Sequence, residues 1–235
     1  MNWIRKIYEW TFSLGPKERD PKDAAEKLQM SMRVTAKCRY NAAVRLQHHS
    51  KFAFLATTVL SLGLIFIPLM QLAEIPLAFP DKVLSVLQIF MAVSVLVYSV
   101  VISAARYEVR AESLNECGDK LKELIRSIDN DRGASPPPGK SEIESYQQRY
   151  SDIVTDTENH DRSDYWLAML EMERDYFHTG FPRWIMWCKA MLRRLMPYAL
   201  PVSMMLAVVV LITDMLAMTS LLTPYLVRSA GSAVP

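Results

Sequence analysis

Two long uncharged segments constrain this chain more than any other feature. Residues 52–73 (FAFLATTVLSLGLIFIPLMQLA) and 83–105 (VLSVLQIFMAVSVLVYSVVISAA) contain no Asp, Glu, Lys or Arg. Each exceeds the roughly 20 residues that an α-helix needs to cross about 30 Å of hydrocarbon. Pro76 and Pro80 in the short loop between them can end one helix and begin the next. The pattern predicts a transmembrane helical hairpin, because a helix satisfies its own backbone hydrogen bonds in lipid.

Basic residues flank the outer ends of this hairpin and are rare in its loop. Five lie within residues 33–51 and four within 106–122, whereas the loop carries only Lys82. By the positive-inside rule, both flanks are expected in the cytoplasm and the loop outside.

A third apolar segment follows Arg193 and Arg194 and is interrupted by Asp214. It is uncharged at residues 195–213 and again at 215–227. A central Asp costs about 3 kcal/mol on an insertion scale, but about ten Leu, Ile and Val residues offset this by about 5 kcal/mol. We therefore predict a third transmembrane helix that starts on the cytoplasmic side.

The depth of Asp214 depends on where this helix enters the membrane. If Arg194 marks the inner interface, Asp214 lies about 30 Å along the helix, where its carboxylate is nearly solvated. If the span begins near Pro201, Asp214 is buried midway and becomes a functional candidate. We favour the buried position, because it uses the apolar run to Thr223 as one span.

The other parts of the sequence also predict helices, so the fold class is an all-α membrane protein with long cytoplasmic helical extensions. Only seven glycines are present, and no stretch alternates with the period of two that a sheet requires. Residues 21–51 predict one helix that runs directly into the first span. A seven-residue spacing from Tyr107 to Ile128 predicts a short coiled-coil seam. That seam either packs the two membrane-emerging helices together or joins two protomers.

A break rich in Gly, Ser and Pro interrupts the chain at residues 129–140, which we predict to be a hinge. Two shorter helices follow and are expected to fold back along the stem. The predicted domains are an amphipathic segment at 1–20, a main domain at 21–180, and an interfacial helix with the third span at 181–235.

Two amphipathic segments combine tryptophan with basic residues. FPRWIMWCKAMLRRLM, which starts at Phe181, is expected to lie on the inner leaflet just before the third span. The N-terminal MNWIRKIYEW predicts either the same role or buried packing.

Small and polar residues form stripes along the first two predicted spans. Such residues allow membrane helices to pack closely, and they can also line an aqueous path. Because two helices cannot enclose a pore, a channel requires a homo-oligomer. The residues of these stripes, together with Asp214, are our candidates for pore lining or helix packing. The residues of the stripes are Thr57, Ser61, Ser85, Gln88, Ser99 and Ser103.

A collar of Arg39, Arg45 and Lys51 precedes the first span. It is a candidate contact for a nucleotide or an anionic lipid, although we favour plain positive-inside topology as its explanation.

Motifs for catalysis are missing from the sequence. It contains no Gly-rich phosphate loop, H-E-x-x-H, paired CxxC or nucleophile elbow, so we expect no enzyme activity, catalytic residue, metal or cofactor. Residues 158–164 (ENHDRSD) are interpreted as a helix-start cap with solvated charges rather than a metal site. His48 and His49 point to different helix faces and are given only a juxtamembrane role.

The order of these elements resembles the SLATT family of bacterial two-transmembrane effector domains. The resemblance rests on KCRYNAAVRLQHHSKFAFLATTVLSLGLIF, AARYEVRAESLNECGDKLKELIR and YQQRYSDIVTDTENHDRSDYWLAMLE, with YSDIVTDTENHDRSDY as its most specific part. It extends over roughly Pro21 to Glu171 and leaves the third apolar segment outside.

The resemblance implies an effector of a bacterial anti-phage defence system, located in the inner membrane. Such an effector disrupts the membrane on activation and causes abortive infection. The partners it implies are membrane lipids and a nucleotide-signal synthase, a nucleotide sensor or a reverse transcriptase, without direct nucleic-acid binding. The alternative is a non-conducting membrane anchor or scaffold that recruits a partner defence enzyme.

Overall fold

Helices account for nearly all the regular structure in the computed structural model, which describes residues 2–133 and 139–226. No strand occurs within these ranges, and the predicted all-α class is confirmed. A 3-10 turn occupies Met196–Tyr198. The helices are α1 (Asn2–Thr11), α2 (Ala24–Leu72), α3 (Asp81–Ala105), α4 (Tyr107–Gly133), α5 (Lys140–Thr155), α6 (Arg162–Glu171), α7 (Gly180–Leu195), α8 (Ala199–Met215) and α9 (Thr223–Leu226).

Three helical stretches are long and apolar enough to cross a membrane, as the sequence predicts. They are Ala24–Leu72, Asp81–Gly133 and Gly180–Met215. Within the second stretch, α3 and α4 are separated at Arg106, whose φ of 45° lies in the left-handed region. A residue with a side chain occupies that region at a cost of about 1–2 kcal/mol, so this break is a defined feature of the backbone.

The chain forms two compact units. We call Met1–His48 with Tyr107–Met196 the polar unit, and His49–Arg106 with Pro197–Pro235 the apolar unit. Each unit combines segments that are distant in sequence. The predicted linear domain boundaries stay predictions, because packing rather than sequence position defines these units.

Helix α2 is uninterrupted over 49 residues, in agreement with the prediction of one helix from the N-terminal region into the first span. Its first turn is fixed by side chains. Asp23 Oδ1 accepts a hydrogen bond from the Glu26 backbone N–H (2.7 Å), and Glu26 Oε2 accepts one from the Lys22 N–H (2.8 Å). These capping bonds place the helix start at Ala24, three residues after the proline that marks the predicted start.

In the polar unit, the seam predicted on α4 packs against α2 of the same chain. Small residues of α2, including Ala36, Ala42 and Ala43, meet this seam and allow a close approach of the two helices. The seam therefore packs the two membrane-emerging helices of one chain together, and its contact with a second protomer stays a prediction. The buried residues of α4 are Ala111, Leu114, Cys117, Gly118, Leu121, Leu124 and Ile128.

Helix α4 extends to Gly133, so the first five residues of the predicted hinge are helical. Tertiary contacts hold this last turn. Gln29 Nε2 donates to Asp129 Oδ1 (2.8 Å), and Arg132 forms an ion pair with Asp23 (2.7 Å). Residues 134–138 of the predicted hinge lie outside the described residues.

The two shorter helices lie against the stem, as predicted. Ile143, Tyr146, Tyr150 and Ile153 of α5 pack on the buried faces of α2 and α4. Tyr150 also forms a hydroxyl–hydroxyl hydrogen bond with Thr35 of α2 (2.8 Å). Their positions on one face of α5 follow the helical spacing seen in the sequence.

In the apolar unit, α8 packs with α3 and the C-terminal part of α2. Gly63 is the only glycine within the three apolar segments. A Cβ atom at Gly63 would lie 2.4 Å from Val208 Cγ1, so a side chain here would force Val208 to shift. The buried core consists of Leu60, Ile67, Phe79, Leu84, Met91, Val208, Leu211 and Met215.

We predict that Gly63→Ala destabilises the apolar unit by about 1–3 kcal/mol, since the added methyl group overpacks the contact with Val208. Val208→Ala should compensate, because it removes the clashing Cγ1. A double-mutant cycle of unfolding in detergent measures this coupling. Strictly additive effects of the two substitutions would show that the two side chains do not meet.

Candidate functional site

The predicted stripe on α3 lies along one margin of its packed face. Gln88 and Ser99 are half-buried, whereas Ser85 and Ser103 are exposed. We call these four residues the polar edge of α3. Leu84 and Met91 form the buried face beside it. The polar edge is thus adjacent to the bundle core but is not enclosed by it.

The hydroxyl groups of the stripes bond mainly to their own helices. Ser85 Oγ donates to the Asp81 carbonyl (2.9 Å), and Ser99 Oγ donates to the Val95 carbonyl (2.8 Å). On α2, where Thr57 and Ser61 are half-buried, Thr57 Oγ1 donates in the same way to the Ala53 carbonyl (2.9 Å). These bonds satisfy the hydroxyls inside lipid without joining two helices.

The chain itself covers little of α3. In the second candidate span, only 6% of the most apolar window is buried. Large apolar side chains of α3 such as Phe90, Leu96 and Val100 are exposed. The surface of α3 is therefore available to lipid or to another membrane helix.

Asp214 is fully buried in the last turn of α8, among residues of the apolar unit. Its carboxylate accepts hydrogen bonds from the backbone N–H groups of Leu221 (2.9 Å), Leu222 and Thr223 (3.0 Å), and from the Thr219 hydroxyl. These donors come from the segment that follows α8. Asp214 therefore fastens this segment to the end of the helix.

The predicted single span up to Thr223 is wrong in extent, because α8 ends at Met215. Ala217 has a φ of 56°, and the chain turns back so that its amide groups reach Asp214. Asp214 is fully buried within the protein, whereas its position midway through the membrane stays a prediction. Backbone donors bind both carboxylate oxygens, and a part for Asp214 in pore lining or helix packing stays a prediction.

Arg39 of the predicted basic collar is 1% exposed and lies inside the polar unit. Its Nη1 donates to the carbonyl of Glu158, and its Nη2 donates to the carbonyl of Val154 (3.5 Å). Arg39 therefore satisfies carbonyl groups at the end of α5 and in the loop after it.

Arg45 forms an ion pair with Asp164 of α6, whose side chain is fully buried. Its Nη2 lies 2.9 Å from Asp164 Oδ2, and its Nε lies 3.1 Å from Oδ1. Arg39 and Arg45 thus contact the chain itself, and binding of an anionic ligand or lipid by the collar stays a prediction. Lys51 remains exposed.

The segment ENHDRSD acts as a helix cap, as predicted. Asp161 Oδ1 accepts from the Ser163 N–H (2.8 Å), and Asp164 Oδ2 accepts from the Asp161 N–H (3.1 Å). Burial would raise the pKa of Asp161, but the hydrogen bonds from Ser163 outweigh it and hold this pKa below its ordinary value. Burial, with the Arg39 charge nearby, lowers the pKa of His160.

No group of three or more His, Cys, Asp or Glu side chains could hold a metal ion within residues 2–133 and 139–226. His49 instead packs edge-on against Tyr198, with ring centroids 4.9 Å apart.

Comparison with known families identifies the chain. A family model described as SMODS and SLOG-associating 2TM effector domain family 5, abbreviated SLATT, matches residues 21–216. The chain belongs to this SLATT family. No curated protein and no solved structure shows significant similarity to it.

Membership of the SLATT family makes the chain a membrane effector of defence-associated systems. The matched region extends beyond the Glu171 limit drawn from the sequence and includes α7 and α8. The third apolar helix thus lies within the matched residues, although the resemblance drawn from the sequence left it outside. Its packing against Gly63 of α2 gives a physical reason for this inclusion.

Several structural residues were not recognised from the sequence of this SLATT domain. Gly63 could have been found, because it is the one glycine in the apolar segments. The partners of Arg39 and Arg45 could not have been found from the sequence, because they lie more than 100 positions away in the chain. The same holds for the ion pair between Arg33 and the buried Asp175 (2.8 Å).

We predict that Asp164→Asn destabilises the polar unit by about 3 kcal/mol, because Arg45 then retains a largely buried charge without a carboxylate. Thermal unfolding of the full chain in detergent measures the loss. The matched control is Glu116→Gln, which removes a solvent-exposed ion pair with Lys120 and should leave the midpoint unchanged. Equal effects of the two substitutions would contradict a special role for the buried pair.

We also predict that Asp214→Asn releases the segment after α8, since an amide oxygen cannot replace both carboxylate oxygens as acceptors. Hydrogen exchange at residues 219–226 should become several-fold faster, while exchange within α8 stays unchanged. Thr219→Val removes one donor and should have a smaller effect in the same direction. Unchanged exchange in Asp214→Asn would mean that the carboxylate does not hold this segment.

Proposed function

We propose that this SLATT protein is the effector of a bacterial anti-phage system and permeabilises the inner membrane when activated. Abortive infection follows in this proposal, because loss of the membrane potential stops the infected cell. The proposal rests mainly on the polar edge of α3. Ser85, Gln88, Ser99 and Ser103 lie on a helix that is long and apolar enough to cross the membrane yet is poorly covered by its own chain.

Assembly of several copies is a necessary part of the proposal. A pathway for ions needs polar groups around its whole circumference, whereas the core of the apolar unit consists of apolar side chains such as Leu60, Leu84 and Leu211. Contacts between α3 helices of neighbouring copies would bring their polar edges together. We therefore propose a homo-oligomer in which α3 lines or borders the leak.

The proposed orientation places the polar unit in the cytoplasm, in agreement with the basic flanks of the first two spans. There it is accessible to a partner that signals infection. We propose a nucleotide-signal synthase, a nucleotide sensor or a reverse transcriptase as this partner. The proposal assigns no catalytic residue and no cofactor to the chain, and it does not include direct nucleic-acid binding.

Leucine at Ser99 tests the proposal. We expect Ser99→Leu, alone or with Gln88→Leu, to abolish the collapse of membrane potential that follows expression with the activating partner. A voltage-sensitive dye in living cells measures this collapse. The matched control is Ser94→Leu, since Ser94 belongs to the same helix and bonds locally to Phe90 (2.8 Å), but lies on the other side of the buried face.

An intact membrane potential during growth arrest by the wild-type chain would refute permeabilisation. Tolerance of Ser99→Leu and Gln88→Leu would instead favour the scaffold function, because an anchor that recruits a partner enzyme does not need the polar edge.

A further inference from the structure

Two amphipathic helices from opposite ends of the polar unit's sequence lie side by side. Helices α1 and α7 are in contact, and the segments beside them are joined by backbone hydrogen bonds. The Arg19 N–H donates to the Asp175 carbonyl, and the Phe177 N–H donates to the Lys17 carbonyl, both at 2.9 Å. Thr179 Oγ1 donates to the carbonyl of Trp10 at the end of α1 (2.7 Å).

The backbone of Gly180 makes this close approach possible. Its φ is 55°, and a Cβ atom at this position would lie 2.2 Å from the carbonyl oxygen of Thr11. A residue with a side chain would both strain this turn and push α1 away. The contact between the N-terminal helix and the start of α7 is therefore a specific feature of the fold.

Four of the five tryptophans of the chain lie on these two helices, and all four are largely exposed. The exposed fraction is 66% for Trp3, 62% for Trp10, 59% for Trp184 and 48% for Trp187. We call these four residues the aromatic patch. Apolar neighbours extend it on both helices, namely Ile4, Ile7, Phe181 and Leu192.

The apolar face of α7 points away from the protein, which is the reverse of the usual arrangement in a soluble protein. On α7, the small residue Ala190 is fully buried. Basic residues of the opposite face form ion pairs within the polar unit, between Arg183 and Glu173 (3.1 Å) and between Arg193 and Asp161 (2.9 Å). Protein contacts use the polar side of α7 and leave its aromatic side uncovered.

The sequence places this uncovered face next to the membrane. Helix α7 ends at Leu195, and only Met196–Tyr198 separate it from the apolar helix α8. At about 1.5–2 Å per residue, the end of α7 lies within about 10 Å of the span along the chain. Tryptophan is the residue best suited to the boundary between lipid headgroups and acyl chains, because its ring is apolar and its N–H is polar.

We propose that α1 and α7 together form a surface that binds phospholipid at the headgroup–acyl boundary of the membrane entered by the chain's own spans. A concave region of about 650 Å³ lies within this surface and is lined by Trp10, Trp184, Trp187 and Arg183, among others. Its aromatic walls suit the upper part of an acyl chain, and the ion pair of Arg183 with Glu173 borders the same region. The inference is independent of permeabilisation, since an anchor would use the same surface.

Tryptophan emission from the full-length protein in vesicles tests the proposal. The vesicles contain phosphatidylethanolamine and phosphatidylglycerol, with phosphatidylcholine brominated at C6–C7 or at C11–C12. One variant keeps only Trp3 and Trp10, a second keeps only Trp184 and Trp187, and the matched control keeps only Trp166 of α6, with phenylalanine at all other tryptophan positions. Bromine quenches tryptophan on contact, so each variant reports whether its own helix touches lipid.

We expect both patch variants to lose emission, with the shallower bromines quenching more strongly, and the Trp166 control to lose little. Quenching of the α7 variant alone would overturn the shared surface, and quenching of neither above the control would overturn lipid binding altogether. The wild-type chain provides a measurement that needs no substitution. Because four of its five tryptophans lie in the patch, most of its emission should be lost in brominated vesicles, and retention of that emission would also overturn the proposal.

Discussion

Two arginines on α2 cannot be buried without partners, and the polar unit is organised around this requirement. A guanidinium group removed from water needs a carboxylate or several carbonyl groups to offset its lost hydration. Arg45 obtains the carboxylate of Asp164, and Arg39 obtains carbonyl groups of Val154 and Glu158. The end of α5, the following loop and the start of α6 must therefore lie on α2. The most specific part of the family resemblance, YSDIVTDTENHDRSDY, contains these partners.

A similar requirement operates at the end of α8. An acidic side chain at a helix C-terminus is normally unfavourable, because it adds negative charge to the negative end of the helix dipole. Asp214 avoids this penalty by accepting the N–H groups of Leu221, Leu222 and Thr223, which would otherwise need water. The carboxylate thus allows a chain reversal in a region that is otherwise apolar. An acid within an apolar run can therefore stabilise the local fold through its hydrogen bonds.

Much of the fold is predictable from local patterns, and the parts that are not depend on distant partners. Helix lengths and the α4 seam follow from apolar runs and from periodicity, and both patterns can be seen within a single segment of the sequence. The extension of α4 to Gly133 depends on Gln29 and Asp23, about 100 positions away, so local Gly and Pro content placed the break too early. Basic residues before a span have the same appearance whether they face lipid or, like Arg45, a buried carboxylate. The candidate residues on α3 were identifiable from spacing, but their location at the margin of the packed face required the structure.

The composition of the apolar unit limits where a leak could form. Three helices are too few to enclose water, and the space between them is filled by side chains such as Ile67, Met91 and Val208. Opening a path through this core would expose apolar atoms to water at a cost of about 25 cal/mol per Å² without any compensating polar contact. Separation of α8 from α2 is also disfavoured, because it would undo the close approach of Val208 to Gly63. Permeation by this chain would therefore need a path between copies, and the polar edge of α3 is a surface that its own chain leaves largely uncovered.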